Sequence, residues 1–151
     1  MHNVVIADTS CFILLVKIKE LDLLRNTYDR VFTTPEIAAE FGEKLPSWII
    51  VQDVANKKLL HQLEAEIDLG EASAIALSYE IEDAVVILDD WGARKIANKL
   101  GIEFTGTFGV MLKAKRNNVI SSVKPILEKV KQTNFRFSDE VYEQILKQAD
   151  E

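Results

Sequence analysis

Five short apolar runs rich in β-branched residues recur along the chain, at Val4 to Ala7, Val31 to Thr33, Trp48 to Gln52, Ala84 to Leu88 and Ile102 to Thr105. The stretches between them carry helical periodicity. Strands that alternate with helices must be joined by crossover connections, so the pattern predicts an α/β chain with a parallel sheet covered on both faces. At 151 residues and 48% hydrophobic content, the chain is long enough to bury a substantial core, and a single domain spanning 1–151 accounts for it. It contains no internal repeat, low-complexity tract or linker.

The helical segments carry their own punctuation. Val4-Val5-Ile6-Ala7 ends in Asp8-Thr9-Ser10 and then passes into Cys11-Phe12-Ile13-Leu14-Leu15, which reads as strand, turn and helix. Thr34 is placed to cap a helix that has Pro35 at its first position and continues to Phe41. On that helix Glu36 and Glu40 share a face, with Glu43 a turn further on. Leu59 to Ile67 has amphipathic spacing, and Gly70 separates it from a helix in which Ala72, Ile75, Ala76 and Tyr79 repeat at three and four residues. Glu71 then falls in the first turn of that helix, where the dipole favours negative charge. Near the far end, Phe135-Arg136-Phe137 reads as a short extended piece, followed by Ser138 as cap for a terminal helix over Val141 to Gln148.

Carboxylates gather where such a fold binds ligands. Asp8 and the pair Asp89-Asp90 stand just beyond strand ends, and Glu40 and Glu71 sit on helices between strands. Open parallel sheets bind ligands in the crevice outside the carboxyl ends of their strands. Acids collected there suit a hard divalent cation such as Mg2+ or Mn2+. Asp8 has a second reading of equal weight, as a cap that accepts the first free N–H groups of its helix. The other reactive residue types are scarce. His2 is near a terminus, His61 lies on an amphipathic helix, and the only cysteine, Cys11, is in an apolar helix. The histidines read as surface residues and the cysteine as core.

Charge and motifs exclude several classes. The formal net charge is −6, yet residues 91–131 hold nine Lys or Arg against Glu103 and Glu128, a local balance of +7. A metal-binding acidic site beside a basic flank is the layout a nuclease needs, since cations there can hold phosphates. No apolar run approaches the roughly 18 residues needed to cross a bilayer, and the N-terminus lacks the features of a signal peptide. One cysteine cannot form an internal disulfide or a cysteine-rich zinc cage. A cytoplasmic protein without a membrane partner is therefore expected. Neither G-x-G-x-x-G nor G-x-x-x-x-G-K-[ST] occurs, which argues against dinucleotide and P-loop binding. Ser10 stands where an aspartyl phosphotransferase would keep a second Asp.

Taken together, Val5-Ile6-Ala7-Asp8-Thr9-Ser10, Thr34-Pro35-Glu36-Ile37-Ala38-Ala39-Glu40, Gly70-Glu71-Ala72-Ser73-Ala74-Ile75-Ala76-Leu77, Leu88-Asp89-Asp90 with Ala93-Arg94, and Gly106-Thr107-Phe108-Gly109-Val110-Met111-Leu112 occur in the order and at the spacing of a known family. The chain resembles the PIN-domain ribonucleases, in particular the branch close to the VapC-type toxins of toxin–antitoxin pairs. The resemblance spans nearly the whole chain. It implies a three-layer α/β/α sandwich and an endoribonuclease site in which Asp8, Glu40, Glu71 and Asp90 are catalytic and hold one or two Mg2+ or Mn2+ ions, with Asp89 the rival for the fourth place. Thr9, Ser10 and Thr107 fall where relatives place hydroxyls near the site. Glu71 replaces the Asp that many relatives carry and reaches about one methylene further, and Leu88 replaces a threonine common two residues ahead of the fourth acid.

The reaction implied is hydrolysis of RNA phosphodiesters by a metal-activated water, without a nucleophilic side chain. Arg94 and Lys95, in a turn directly after the fourth acid, and Lys113 and Arg116, at the end of another helix, are candidates to contact the RNA backbone, and Trp91 and Phe108 are aromatics suited either to packing or to stacking on bases. The resemblance further implies a homodimer and an antitoxin protein that covers the acidic cleft. The alternative is a catalytically inactive PIN-like module that binds a partner protein.

Overall fold

A computed structural model describes residues 3–151, so His2, expected at the surface, lies outside the described residues. Five strands form one sheet: β1 (Val4–Ile6), β2 (Arg30–Thr33), β3 (Ile49–Val51), β4 (Ala84–Ile87) and β5 (Phe104–Thr105). All neighbours pair in parallel, in the order β3-β2-β1-β4-β5. Each strand falls on one of the five expected apolar runs, with β2 starting one residue earlier than its run, at Arg30. Val5 and Ile6 of β1 and Val85, Val86 and Ile87 of β4 are buried, as expected for central strands covered on both faces. The edge strand β3 instead leaves Ile50 and Val51 exposed.

Helices α1 (Thr9–Lys17), α2 (Asp22–Thr27), α3 (Pro35–Phe41), α4 (Lys57–Glu64), α5 (Leu69–Ser78), α6 (Trp91–Lys99), α7 (Thr107–Arg116), α8 (Lys124–Lys131) and α9 (Asp139–Gln148) flank the sheet in a three-layer α/β/α arrangement. The expected caps form. Thr34 accepts from the Ile37 N–H and Ser138 from the Val141 N–H; Gly42, a cap not anticipated from the sequence, ends α3 in the left-handed region at φ 77°. Helix α5 packs on β4 and β1, α2 on α7, and α3 on both α1 and α5. Among the described residues no helix is long and apolar enough to cross a membrane.

Three local expectations are corrected. Gly70 does not separate two helices; it lies within the first turn of α5, because a Cβ there would come within 2.9 Å of Glu40 Oε1 and 3.5 Å of Ile37 on α3. Its missing side chain lets α3 and α5 close on one another. Arg94-Lys95 is not a turn but part of α6, begun by Asp90 as cap. Phe135 and Phe137 form no strand. They pack instead around Phe108, at ring-centroid distances of 5.8 and 5.2 Å, which places Phe108 in an aromatic cluster.

Candidate metal centre

The direction of the chain across the sheet reverses between β1 and β4. To one side lie β2 and β3, and to the other β5, so the strand ends of β1 and β4 flank the crevice where doubly wound sheets bind ligands. Asp8 follows β1, and Asp89 and Asp90 follow β4. Glu40 comes from α3 and Glu71 from α5. All five line one open hollow of about 440 Å3, together with Thr9, Ser10 and Ile13. A sixth acid, Asp68, also lines it. Six carboxylates and no lysine or arginine therefore share this surface among the described residues.

Local bonds fix most of these groups. Asp8 is buried and accepts from the Cys11 N–H through Oδ1 at 3.1 Å, so the capping reading holds, while its Oδ2 is 3.1 Å from the Ser10 hydroxyl. A cap and a place in the hollow are thus compatible. Ser10 Oγ also lies 3.4 Å from Asp89 Oδ2, linking the ends of β1 and β4. Asp89 accepts from the Thr107 N–H at 2.8 Å and from the Thr107 hydroxyl at 2.6 Å, which ties the strand end to the start of α7. The chain at Gly106 runs close by, since a Cβ there would sit 2.9 Å from Asp89 Oδ1 and press on the Arg94 guanidinium. Asp90 caps α6 with Oδ2, 3.0 Å from the Ala93 N–H. Thr9 donates its hydroxyl to Glu40 Oε1.

Glu40 and Glu71 are placed by a buried relay. Ser73 donates to the Gly70 carbonyl at 2.7 Å, so its single proton is used there, and the hydroxyl of Thr34, 2.7 Å away, must be the donor to Ser73. Thr34 meanwhile accepts from Ile37. The relay joins the start of α3 to the first turn of α5. Ser73→Ala would leave the buried Thr34 proton without an acceptor, and a loss of about 1–3 kcal/mol in urea unfolding is expected. An unchanged urea midpoint would refute the relay.

The electrostatics follow from this crowding. Burial first, and then the charge of Asp89, push the Asp8 carboxyl up to about 7, with the bonds from Cys11 and Ser10 only partly opposing the rise. Glu71 is also raised to about 7, first by burial, then by Asp90, Asp68 and Asp8 and by its hydrogen bond to Asp68. Among the described residues, no three His, Cys, Asp or Glu side chains already stand as a metal-holding group. The oxygens of Asp8, Glu40, Asp89 and Asp90 are turned instead toward helix N–H groups and hydroxyls, and Glu71 bonds to Asp68. The donor set nevertheless fits a hard divalent ion: it is all oxygen, no lysine or arginine lines it, and crowding raises the Asp8 and Glu71 carboxyls, a cost that an ion would relieve.

The remaining candidates fall elsewhere. Arg94 donates from Nε to the Leu88 carbonyl at 2.6 Å and lies 5.6 Å over the Phe104 ring, so it braces the end of β4. Lys95 lies 5.3 Å over the exposed ring of Trp91. Lys113 and Arg116 border a separate cavity of about 310 Å3 with Tyr28. They sit toward the end of α7 remote from Thr107, with Arg116 about 14 Å along the axis at 1.5 Å per residue. None of these four lines the acidic hollow, and only the Arg94 guanidinium lies just outside it, beside Gly106 and Asp89. Cys11 is fully buried, and His61 is exposed on α4, 3.9 Å from Glu64. Sequence reasoning missed Asp68 and Ile13; the available signal for Asp68 was its place three residues ahead of Glu71, the spacing of a capping box.

A family described as a PIN domain matches residues 4–151. No curated protein matches the chain.

Proposed function

Because the chain belongs to the PIN-domain family, a nuclease-type fold, we propose that it is a ribonuclease dependent on Mg2+ or Mn2+ that hydrolyses RNA phosphodiester bonds. One observation carries this reading: six carboxylates from four segments of the chain line a single hollow at the sheet's switch point, with no lysine or arginine among its lining residues. Asp8, Glu40, Glu71 and Asp90 are the residues proposed to hold the ion. When bound, the ion would supply a lowered water pKa and positive charge to offset the charge growing at phosphorus.

The chain's own residues have distinct parts in this scheme. Thr107 and Ser10 hold Asp89 beside the ion site, leaving Asp90 the freer of the pair, since only one of its oxygens caps α6. Thr9 steadies Glu40 across the hollow. Glu71, one methylene longer than Asp, reaches in from α5. No Cys, His or Lys lines the hollow to act as nucleophile, which agrees with attack by water. The toxin role, an antitoxin partner and a homodimer are proposed on the resemblance to VapC-type toxins, and a cytoplasmic home on the single buried cysteine.

The test is cleavage of a mixed single-stranded RNA pool. Cleavage is expected with millimolar Mg2+ or Mn2+, none in EDTA, and none from Glu71→Gln purified in the same way. Cleavage that persists in EDTA would contradict the metal requirement. Mn2+ binding without any cleavage would favour the inactive interaction module.

A further inference from the structure

The acidic hollow does not end at Ile13. A second hollow of about 210 Å3 shares Ser10 and Ile13 with it and continues along α1 to Lys17, Asn134 and Phe135. A third, of about 540 Å3, shares Lys17 and Asn134 with the second and is bordered by Lys19 and Lys129. The three lie end to end along α1 as a groove in three segments, each sharing lining residues with the next, with the Lys17–Asn134 hydrogen bond between the second and third. Ser10 and Lys17 are seven residues apart, about 10 Å along the helix, so the groove runs from six carboxylates to three lysines within the length of a few nucleotides.

Each stretch has its own chemistry. The middle has an apolar floor in Ile13, which is 48% exposed, and Phe135, a surface suited to the faces of unpaired bases. At the far end Lys17 and Lys19 are exposed. Lys17 donates to Asn134 at 2.9 Å, a neutral partner that leaves its charge uncancelled. Lys129 pairs with Glu20 at 3.2 Å, but its side chain stays 50% exposed. By contrast, the cavity beside Lys113 and Arg116 shares no lining residue with the acidic hollow.

We propose that this groove is the track of a single RNA strand, with Lys17, Lys19 and Lys129 binding the phosphates that flank the scissile one. The inference rests on the ribonuclease reading above. Acids that hold a cation at the scissile phosphate repel the neighbouring phosphates, and a cationic anchor about 10 Å away offsets that repulsion and sets the direction of the strand.

The experiment measures binding of a fluorescent single-stranded RNA 12-mer by anisotropy across a salt series, in Ca2+ or EDTA so that no cutting occurs. The triple variant Lys17→Gln/Lys19→Gln/Lys129→Gln is expected to bind up to about a hundredfold more weakly at 0.1 M salt, and its log–log salt slope to be shallower by about 2, at roughly 0.7 per phosphate contact on a single strand. Lys113→Gln/Arg116→Gln is expected to bind within twofold of the wild type. Retained Mn2+ binding by the triple variant would show that it is folded with its acidic site intact. If wild-type RNA binding is measurable but the triple variant matches it in affinity and slope, the groove assignment fails while the ribonuclease reading stands. If the wild type binds no RNA, both fail. An oligoglutamate that binds the wild type as tightly as the RNA, and loses the same factor in the triple variant, would make the groove a peptide site and overturn the proposal.

Discussion

Asp8→Asn is expected to lower RNA cleavage at least about a thousandfold while raising the melting temperature of the metal-free protein. The activity loss corresponds to roughly 4 kcal/mol of transition-state stabilisation, reasonable for removing one charged oxygen from the group proposed to hold the ion. The stability gain comes from the same group. Asp8 is buried, its carboxyl is pushed from 3.8 up to about 7 by burial and by Asp89, and ionising it in the fold is costly. A carboxyl whose folded value lies above its unfolded one imposes no penalty below about pH 4. The penalty grows as pH rises through 7 and levels off above that. At 1.36 kcal/mol per unit, and with some of the shift shared with Glu71, the penalty at pH 8 is on the order of 2–4 kcal/mol. Asn removes it and still caps α1 through its side-chain oxygen. Thermal unfolding in EDTA at pH 5 and pH 8 checks this: the variant's advantage widens with pH, by about 2–4 °C for each kcal/mol in a chain of this size. A variant less stable than wild type at pH 8, or one that still cuts RNA, would contradict the account of Asp8.

Phe12→Ala is expected to destabilise the protein by about 3–5 kcal/mol, a fall of roughly 10 °C in melting temperature. Phe12 is fully buried on α1, and its ring centroid lies 5.8 Å from that of Phe41 on α3. That contact sets the spacing between the helix carrying Thr9 and Ser10 and the helix carrying Glu40. The variant should therefore weaken the site as well as the fold. At a temperature where it remains folded, its Mn2+ affinity falls while Asp8 and Glu71 are untouched. Full Mn2+ affinity in a destabilised variant would separate the core from the site and refute the coupling.

Much of this architecture was legible in the residues because the signals are local. Each strand is a short β-branched run, and Thr34 and Ser138 mark helix starts through bonds within a few residues. What was not legible depends on partners far along the chain. Helix α8 has Val123 at its N-cap and so no capping side chain of its own; the N–H groups there are met by Glu151, at 2.7 Å from Val123 and 3.2 Å from Lys124. Helix α2 likewise begins without a side-chain cap and rests on packing against α7. Gly70 reads as a breaker until α3 is seen to press on it. The acids at 8, 40, 71, 89 and 90 were visible as strand-end and helix carboxylates, and the hollow now adds Asp68. The basic residues were the least legible. A run of charge between 91 and 131 says nothing of direction, and α6 and α7 turn Arg94 onto the Leu88 carbonyl and carry Lys113 and Arg116 away from the acids.

The most direct measurement is Mn2+ anomalous diffraction from crystals of the wild-type protein. The account predicts one or two anomalous peaks within the hollow bounded by Asp8, Glu40, Glu71 and Asp90, at the roughly 2.1 Å from carboxylate oxygens usual for small hard cations. No peak there, or Mn2+ held only elsewhere on the surface, would contradict it.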